Sequence, residues 1–195
     1  MNYTTIEAVE KYTGISIDAG DEPSVEEYIG GISRFFDRIA DRKLVADEEE
    51  SGEETPDYRV YDGDGSPWLA IDDCVEIVSV EIGGDFATAL AAVTDASAYP
   101  AIAPHRKLYR AAGFPCGIQN VRIAARWGYR EDLPEDLKFA ATVIVGGVLF
   151  AKQPGVQGKK SESIGNYSVT YSDDKGIADY ERALAILEGY KRHSL

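Results

Sequence analysis

The spacing of apolar residues along the chain switches between helical and strand periods. Over residues 23–41, Val25, Tyr28, Ile29, Ile32, Phe35, Phe36 and Ile39 recur every three or four positions, which predicts an amphipathic helix with one buried face. Pro23 suits the first helical position, and Asp21, Glu22, Glu26 and Glu27 sit toward the positive end of the helix dipole. Gly30 and Gly31 inside this helix each cost about 1 kcal/mol against alanine, so a close backbone neighbour or a bend is expected there. The period then becomes two. Residues 59–62, 68–71, 74–82 and 120–127 read as short strands, with a slip at Val78 that reads as a bulge. Residues 86–115 read as irregular, because prolines at 100, 104 and 115 interrupt any long element.

A second helix opens at Pro134, Glu135 and Asp136 and runs through "KFAATVIVGGVLFAK". It is apolar on every side over 139–151, which at that length means burial inside protein, as the central helix of the core or against other subunits. "SESIGNYSVTYS" alternates again, and Gly165–Asn166 suits a small hairpin or bulge. A last helix over 176–191, capped by Asp173 or Asp174, carries Ile177, Tyr180, Leu184, Leu187 and Tyr190 on one face. These elements predict an α+β protein that is mainly a bundle of three helices, with a hairpin-like loop before the last. The helical core spans 1–45 and 131–195, a β-rich unit is inserted at 55–130, and the whole of 1–195 forms one domain.

Charge narrows the function. The 195 residues carry a formal charge of −14. A chain this acidic is repelled by nucleic-acid phosphates and by anionic lipid, so general nucleic-acid binding and membrane association are not expected. Solubility or a saline host would each account for the acidity. The run at 46–57 reads as a solvated acidic loop. The opening residues lack the apolar core of a signal peptide. The longest apolar run is shorter than the ~20 residues of a membrane span, and Cys74 and Cys116 form no metal-type spacing. A soluble intracellular product is expected.

The stretch "YDGDGSPW" poses a chemical question, since Asp62, Asp64 and Asp73 stand at positions one, three and twelve of a calcium loop. Pro67 occupies the position that requires glycine, and a strand follows where a helix should. An Asp-Gly hairpin turn is the favoured reading. A small calcium-binding or hydrolytic protein using Asp62, Asp64 and Asp73 is the rival. No nucleotide loop, nucleophile elbow or zinc helix motif occurs, and His105 and His193 have no ligand spacing. No cofactor and no catalysis are expected. Twelve tyrosines, among them Tyr99, Tyr109, Tyr129 and Tyr171, suit either interfaces or ordinary partial burial.

Taken together, "SESIGNYSVTYS" after "PEDLKFAATVIVGG", preceded by "NVRIAARWGY", resembles the head–tail connector (adaptor) proteins of tailed bacteriophages and archaeal tailed viruses. "DEPSVEEYIGGISRFFDRIADR" looks like that family's first helix, and "YDGDGSPWLAIDDCVEIVSVEI" is similar to the β insertion of its longer members. The resemblance implies a virion structural protein at the head–tail interface, assembled in the host cytoplasm. It would form a ring with itself, usually a dodecamer, beneath the portal protein. Such a ring extends the channel for double-stranded DNA and gives a stopper or tail-completion protein its platform. It also implies portal contact through Tyr180, Leu184, Leu187, Tyr190, Lys191, Arg192, His193 and Leu195. A channel or intersubunit loop would hold Lys159, Lys160, Ser163, Ile164, Asn166, Tyr167 and Tyr171. Another virion ring component, such as a tail-completion protein, is a further rival.

Overall fold

The computed structural model describes residues 1–46, 57–99, 102–152, 160–164, 167–171 and 174–192. Residues 47–56 of the acidic loop at 46–57 and the turn at 165–166 therefore lie outside the described residues. The chain divides into two compact units, one formed by Met1–Asp41 with Leu133–Leu195 and the other by Arg42–Asp132.

The first unit is helical. It holds α1 (Ile6–Thr13), α2 (Glu22–Ala40), α3 (Glu135–Lys152) and α4 (Asp174–Glu188), with β7 (Lys160–Ile164) and β8 (Tyr167–Tyr171) paired antiparallel. Thr5 caps α1 by accepting a hydrogen bond from Ala8 N, and Gly14 ends it at φ 70°. Helix α3 lies at the centre, against α1, α2 and α4. Leu137, Ala140, Ala141, Val143, Ile144, Val145 and Val148 are all buried, each of the larger ones contributing about 1.5–3 kcal/mol. Most of the apolar surface of α3 is thus covered, while Phe139, Leu149 and Phe150 remain half-buried. Polar groups inside the unit are paired: Tyr3 N donates to Ser33 Oγ at 2.9 Å, and the hydroxyls of Thr4 and Thr142 lie 2.6 Å apart.

The second unit is a six-stranded antiparallel sheet. Its strands are β1 (Tyr58–Gly63), β2 (Trp68–Gly84), β3 (Thr88–Ala92), β4 (Ala96–Tyr99), β5 (His105–Arg110) and β6 (Gly117–Trp127). They lie in the order β1-β6-β2-β5-β4, with β3 on β2. Strand β2 pairs β5 through its first half and β6 through its second. Its pairing shifts register around Cys74, where one partner gives way to the other. Leu69, Ile71, Cys74, Val80, Leu108, Phe114, Val121, Ile123, Ala125 and Trp127 form the core.

This architecture corrects the expected fold class. Helix and strand take nearly equal shares of the described residues, with four helices in place of three and a six-stranded sheet where a small insertion was expected. Part of the difference lies in 86–115, which read as irregular and holds β3, β4 and β5. Pro104 and Pro115 fall between strands, and "TALAA" and "ASAY" are alanine-rich segments of low strand propensity whose partners hold them in place. The turn at 62–66 is corrected too. It joins β1 to β2, but β6 lies between those strands, so no hairpin forms. The slip at Val78 is present, between Ile77 and Ser79.

The helix glycines separate into two kinds. A Cβ on Gly30 would meet only the end of Arg34 at 3.4 Å and Asn2 Oδ1 at 3.8 Å, so the expected close backbone neighbour is absent there. A Cβ on Gly146 would stand 2.9 Å from Thr13 Cγ2 and 3.0 Å from the Tyr12 ring, because α1 packs tightly on α3. Gly30→Ala is expected to stabilise the protein by up to about 1 kcal/mol. Gly146→Leu is expected to destabilise it by about 1–3 kcal/mol. Denaturant unfolding of both variants checks this, and equal midpoints would contradict the packing described.

Candidate functional site

The sheet unit has two distinctive ends. At one, the residues around the register shifts of β2 enclose a buried carboxylate. The Asp73 side chain is 2% exposed; its Oδ1 accepts from Arg106 Nε at 2.7 Å, and its Oδ2 lies 3.4 Å from Nε of Arg42, whose side chain is 5% exposed. Three guanidinium groups surround the Tyr129 ring, with Cζ of Arg42 at 4.4 Å, Arg130 at 5.4 Å and Arg106 at 5.7 Å from its centroid. Such stacking suits arginine's planar, weakly hydrated head. Next door, Arg59 pairs with Asp72 at 2.9 Å and lies over Trp127 at 4.4 Å. Tyr61 exchanges hydrogen bonds with Asp72, and its burial raises the phenol's pKa.

At the other end three turns converge. Gly65 N donates to Phe114 O and Phe114 N to Ser66 O, at 2.7 and 2.8 Å. Asp62 Oδ1 accepts Gln119 N at 2.6 Å, Asp85 Oδ1 accepts Ile118 N at 2.8 Å, and Asp64 Oδ1 accepts Ser66 N at 2.8 Å. Gly63 is required here, because a Cβ would strike the Pro115 carbonyl. Phe86 N and Ala87 N donate to Ile118 O and Gln119 O. Phe86, Ala87, Ala89 and Gln119 all adopt positive φ, between 49° and 57°. Left-handed backbone at such residues costs about 1–3 kcal/mol each and persists only where neighbours impose it. Phe86 is 68% exposed and Ile118 53% exposed, so strain and hydrogen bonds together present apolar side chains to solvent. Trp68 and Tyr109, also exposed, pair with ring centroids 4.8 Å apart.

The three aspartates considered for calcium therefore part company. Asp62 and Asp64 brace the turns, while Asp73 faces two guanidinium groups, an arrangement that repels a cation. Among the described residues no three His, Cys, Asp or Glu side chains group to hold a metal. Also among them, no helix is long and apolar enough to cross a membrane.

The residues assigned to portal contact have mixed positions. Tyr180 and Leu187 are buried in the helical unit and Leu184 is half-buried. Tyr190 donates its hydroxyl to Asp136 at 2.9 Å, Lys191 Nζ pairs with Glu188 at 2.6 Å, and Arg192 N donates to Ala40 O at 2.8 Å. His193 and Leu195 lie outside the described residues. Of the loop set, Lys160, Ser163 and Ile164 stand on β7 and Tyr167 and Tyr171 on β8, while Lys159 and Asn166 lie outside the described residues. The arginines around Tyr129 and the exposed Phe86 were not singled out from sequence. An "RWGYR" run flags the former only weakly, and no periodic signal marks the latter.

No protein-family model matches the chain, and no curated protein matches it. Solved structures do. A chain from the neck of an empty gene transfer agent particle, computed with C6 symmetry, matches with TM-score 0.60 at 9% identity. A chain from the virion of the native gene transfer agent particle matches with TM-score 0.58 at 12% identity, and one from its neck computed with C12 symmetry with 0.50 at 12%. Each match covers 97% of this chain and 89% of the other. The fold is shared with these chains.

Two outcomes follow from the site geometry. Asp73→Ala, which strands the buried Arg42 charge, is expected to cost about 3–5 kcal/mol. Asp62→Asn and Asp64→Asn keep an acceptor oxygen and should cost less than about 1 kcal/mol each. Chemical denaturation checks the contrast, and a mild Asp73→Ala would contradict it. Burial, then the Asp73 charge, push the buried Cys74 thiol from 9.0 up to about 12, whereas Cys116 is exposed. The folded thiol holds its proton where the unfolded one has lost it, so stability is full below pH ~9 and falls by up to about 1.4 kcal/mol per pH unit between there and pH ~12. Alkylation of the native protein at pH 8 should modify Cys116 and spare Cys74; equal labelling would contradict the burial.

Proposed function

We propose that this chain is a structural subunit of the neck of a tailed-virus particle. More specifically, it is a head–tail connector adaptor that rings the DNA path beneath the portal and offers a platform to a stopper or tail-completion protein. The observation that carries the reading is the extent of the structural likeness. It spans 97% of the chain, and so both units, and the chains it matches come from a neck or a virion. The C12 symmetry of one of those neck structures supports a ring of twelve. The charge of −14 fits a conduit in which DNA must slide, since like charge opposes phosphate adhesion. In this reading the protein performs no catalysis and needs no cofactor.

Portal contact falls to the stretch 180–195. Tyr180 and Leu187 hold α4 in the helical unit, and the partly exposed residues at its end meet the portal. The stretch 159–171 faces the channel or a neighbouring copy.

Negative-stain electron microscopy of the purified protein, alone and mixed with the portal protein of the same virus, tests the reading. Rings of about twelve copies are expected on the portal, with no retention of duplex DNA at low salt. A chain that leaves the portal bare, or rings that bind DNA tightly, would overturn it.

A further inference from the structure

The two ends of the sheet unit complement one another and cannot meet within one copy. The turn residues 62–66, 83–89 and 113–119 contain no Lys, Arg or His and carry Asp62, Asp64 and Asp85 beside the exposed Phe86 and Ile118. The opposite end presents guanidinium groups around Tyr129, with the exposed carboxylates of Glu131 and Asp132 following Arg130 in the chain. Arg130 is exposed there, and the Arg106 side chain is 33% exposed. Strand β6 begins at Gly117 beside the turns and ends at Trp127, two residues before Tyr129. At 3.3 Å per residue it holds the two ends about 30 Å apart.

We propose that the Phe86–Ile118 tip of one copy seats against the Arg106–Tyr129–Arg130 surface of a second copy. This deepens the ring reading above and rests on it. Arginine planes and a tyrosine face make a natural seat for a phenylalanine ring. The aspartates around Phe86 then approach Arg106 and Arg130, the charge complementarity that selects this partner and sets its register. The rigidity of the tip lowers the ordering cost of binding. Its turns are cross-braced by Asp62 and Asp85, and its backbone is held left-handed at four non-glycine residues. Two different patches in contact make a heterologous interface, the kind that closes into rings.

The test uses the full chain. Phe86→Ser and Arg130→Glu alter exposed side chains, and thermal melts confirm that each variant stays folded. Sedimentation velocity should show self-association weakened about tenfold or more by either change, with the wild-type contact weakening as salt rises. Disulfide trapping reads the geometry directly. Diamide takes two electrons and two protons from a pair of thiols and is itself reduced to the hydrazine. Wild-type protein, with Cys116 at the tip and Cys74 buried, should stop at dimers. Asp132→Cys adds a thiol near the opposite end and should give a ladder of trimers and larger species. Rings that persist unchanged in both variants and give no ladder would overturn this contact while leaving the ring reading intact. A wild-type chain that stays monomeric in sedimentation overturns the contact, and the portal experiment then judges the ring by itself.

Discussion

A buried carboxylate organises the sheet unit. Asp73 sits in the middle of the 17-residue β2, where pairing passes from β5 to β6, and its charge is out of water. An isolated buried charge is costly, so the fold must bring cations to it. Arg42 comes from the first residue of the unit and Arg106 from β5, which ties the start of the unit and two strands to one point. Arg42 and Arg106 also stack around Tyr129, just past β6. With β2 set in this way, the turns after β1, β2 and β5 are brought together at the far end, and the apolar tip is built there.

The helical unit answers a different constraint. Helix α3 is apolar on all sides and is packed by α1, α2, α4 and β8. Gly146 lets α1 approach closely, and Tyr12 reaches across to donate to Asp179 on α4 at 2.9 Å. The exposed apolar side chains that invite partners include Phe86, Ile118, Trp68 and Tyr109 of the sheet unit.

The parts legible in sequence were those with a strong local signal. The periodicity of Val25 to Ile39 marked α2, Pro134 and Glu135 marked the start of α3, and alternation marked β6 and the second half of β2. The missed parts depended on distant partners. Helix α1 has a clear cap at Thr5 and a stop at Gly14, but only eight residues between them, too few for periodicity to assert itself. Strands β3 and β4 are alanine-rich and become strands because β2 and β5 offer unpaired edges. The fate of Asp73 was hidden for the same reason. Its neighbours in sequence suggested a calcium loop, whereas its neighbours in space are arginines 31 and 33 residues away. Turn chemistry at Asp62 and Asp64 was readable; which strands that turn would leave unpaired was not.

The proposed role is that of a neck subunit working by fitting against other proteins, a reading that draws on the shared fold, the acidity and the exposed apolar loops. Cryo-electron microscopy of the intact particle at a resolution that separates strands tests that claim most directly. The expected result is a ring of copies between portal and tail, each with density for the helical unit and the six-stranded sheet. A neck fully accounted for by other chains, with this protein elsewhere in the particle or missing from it, would contradict the account.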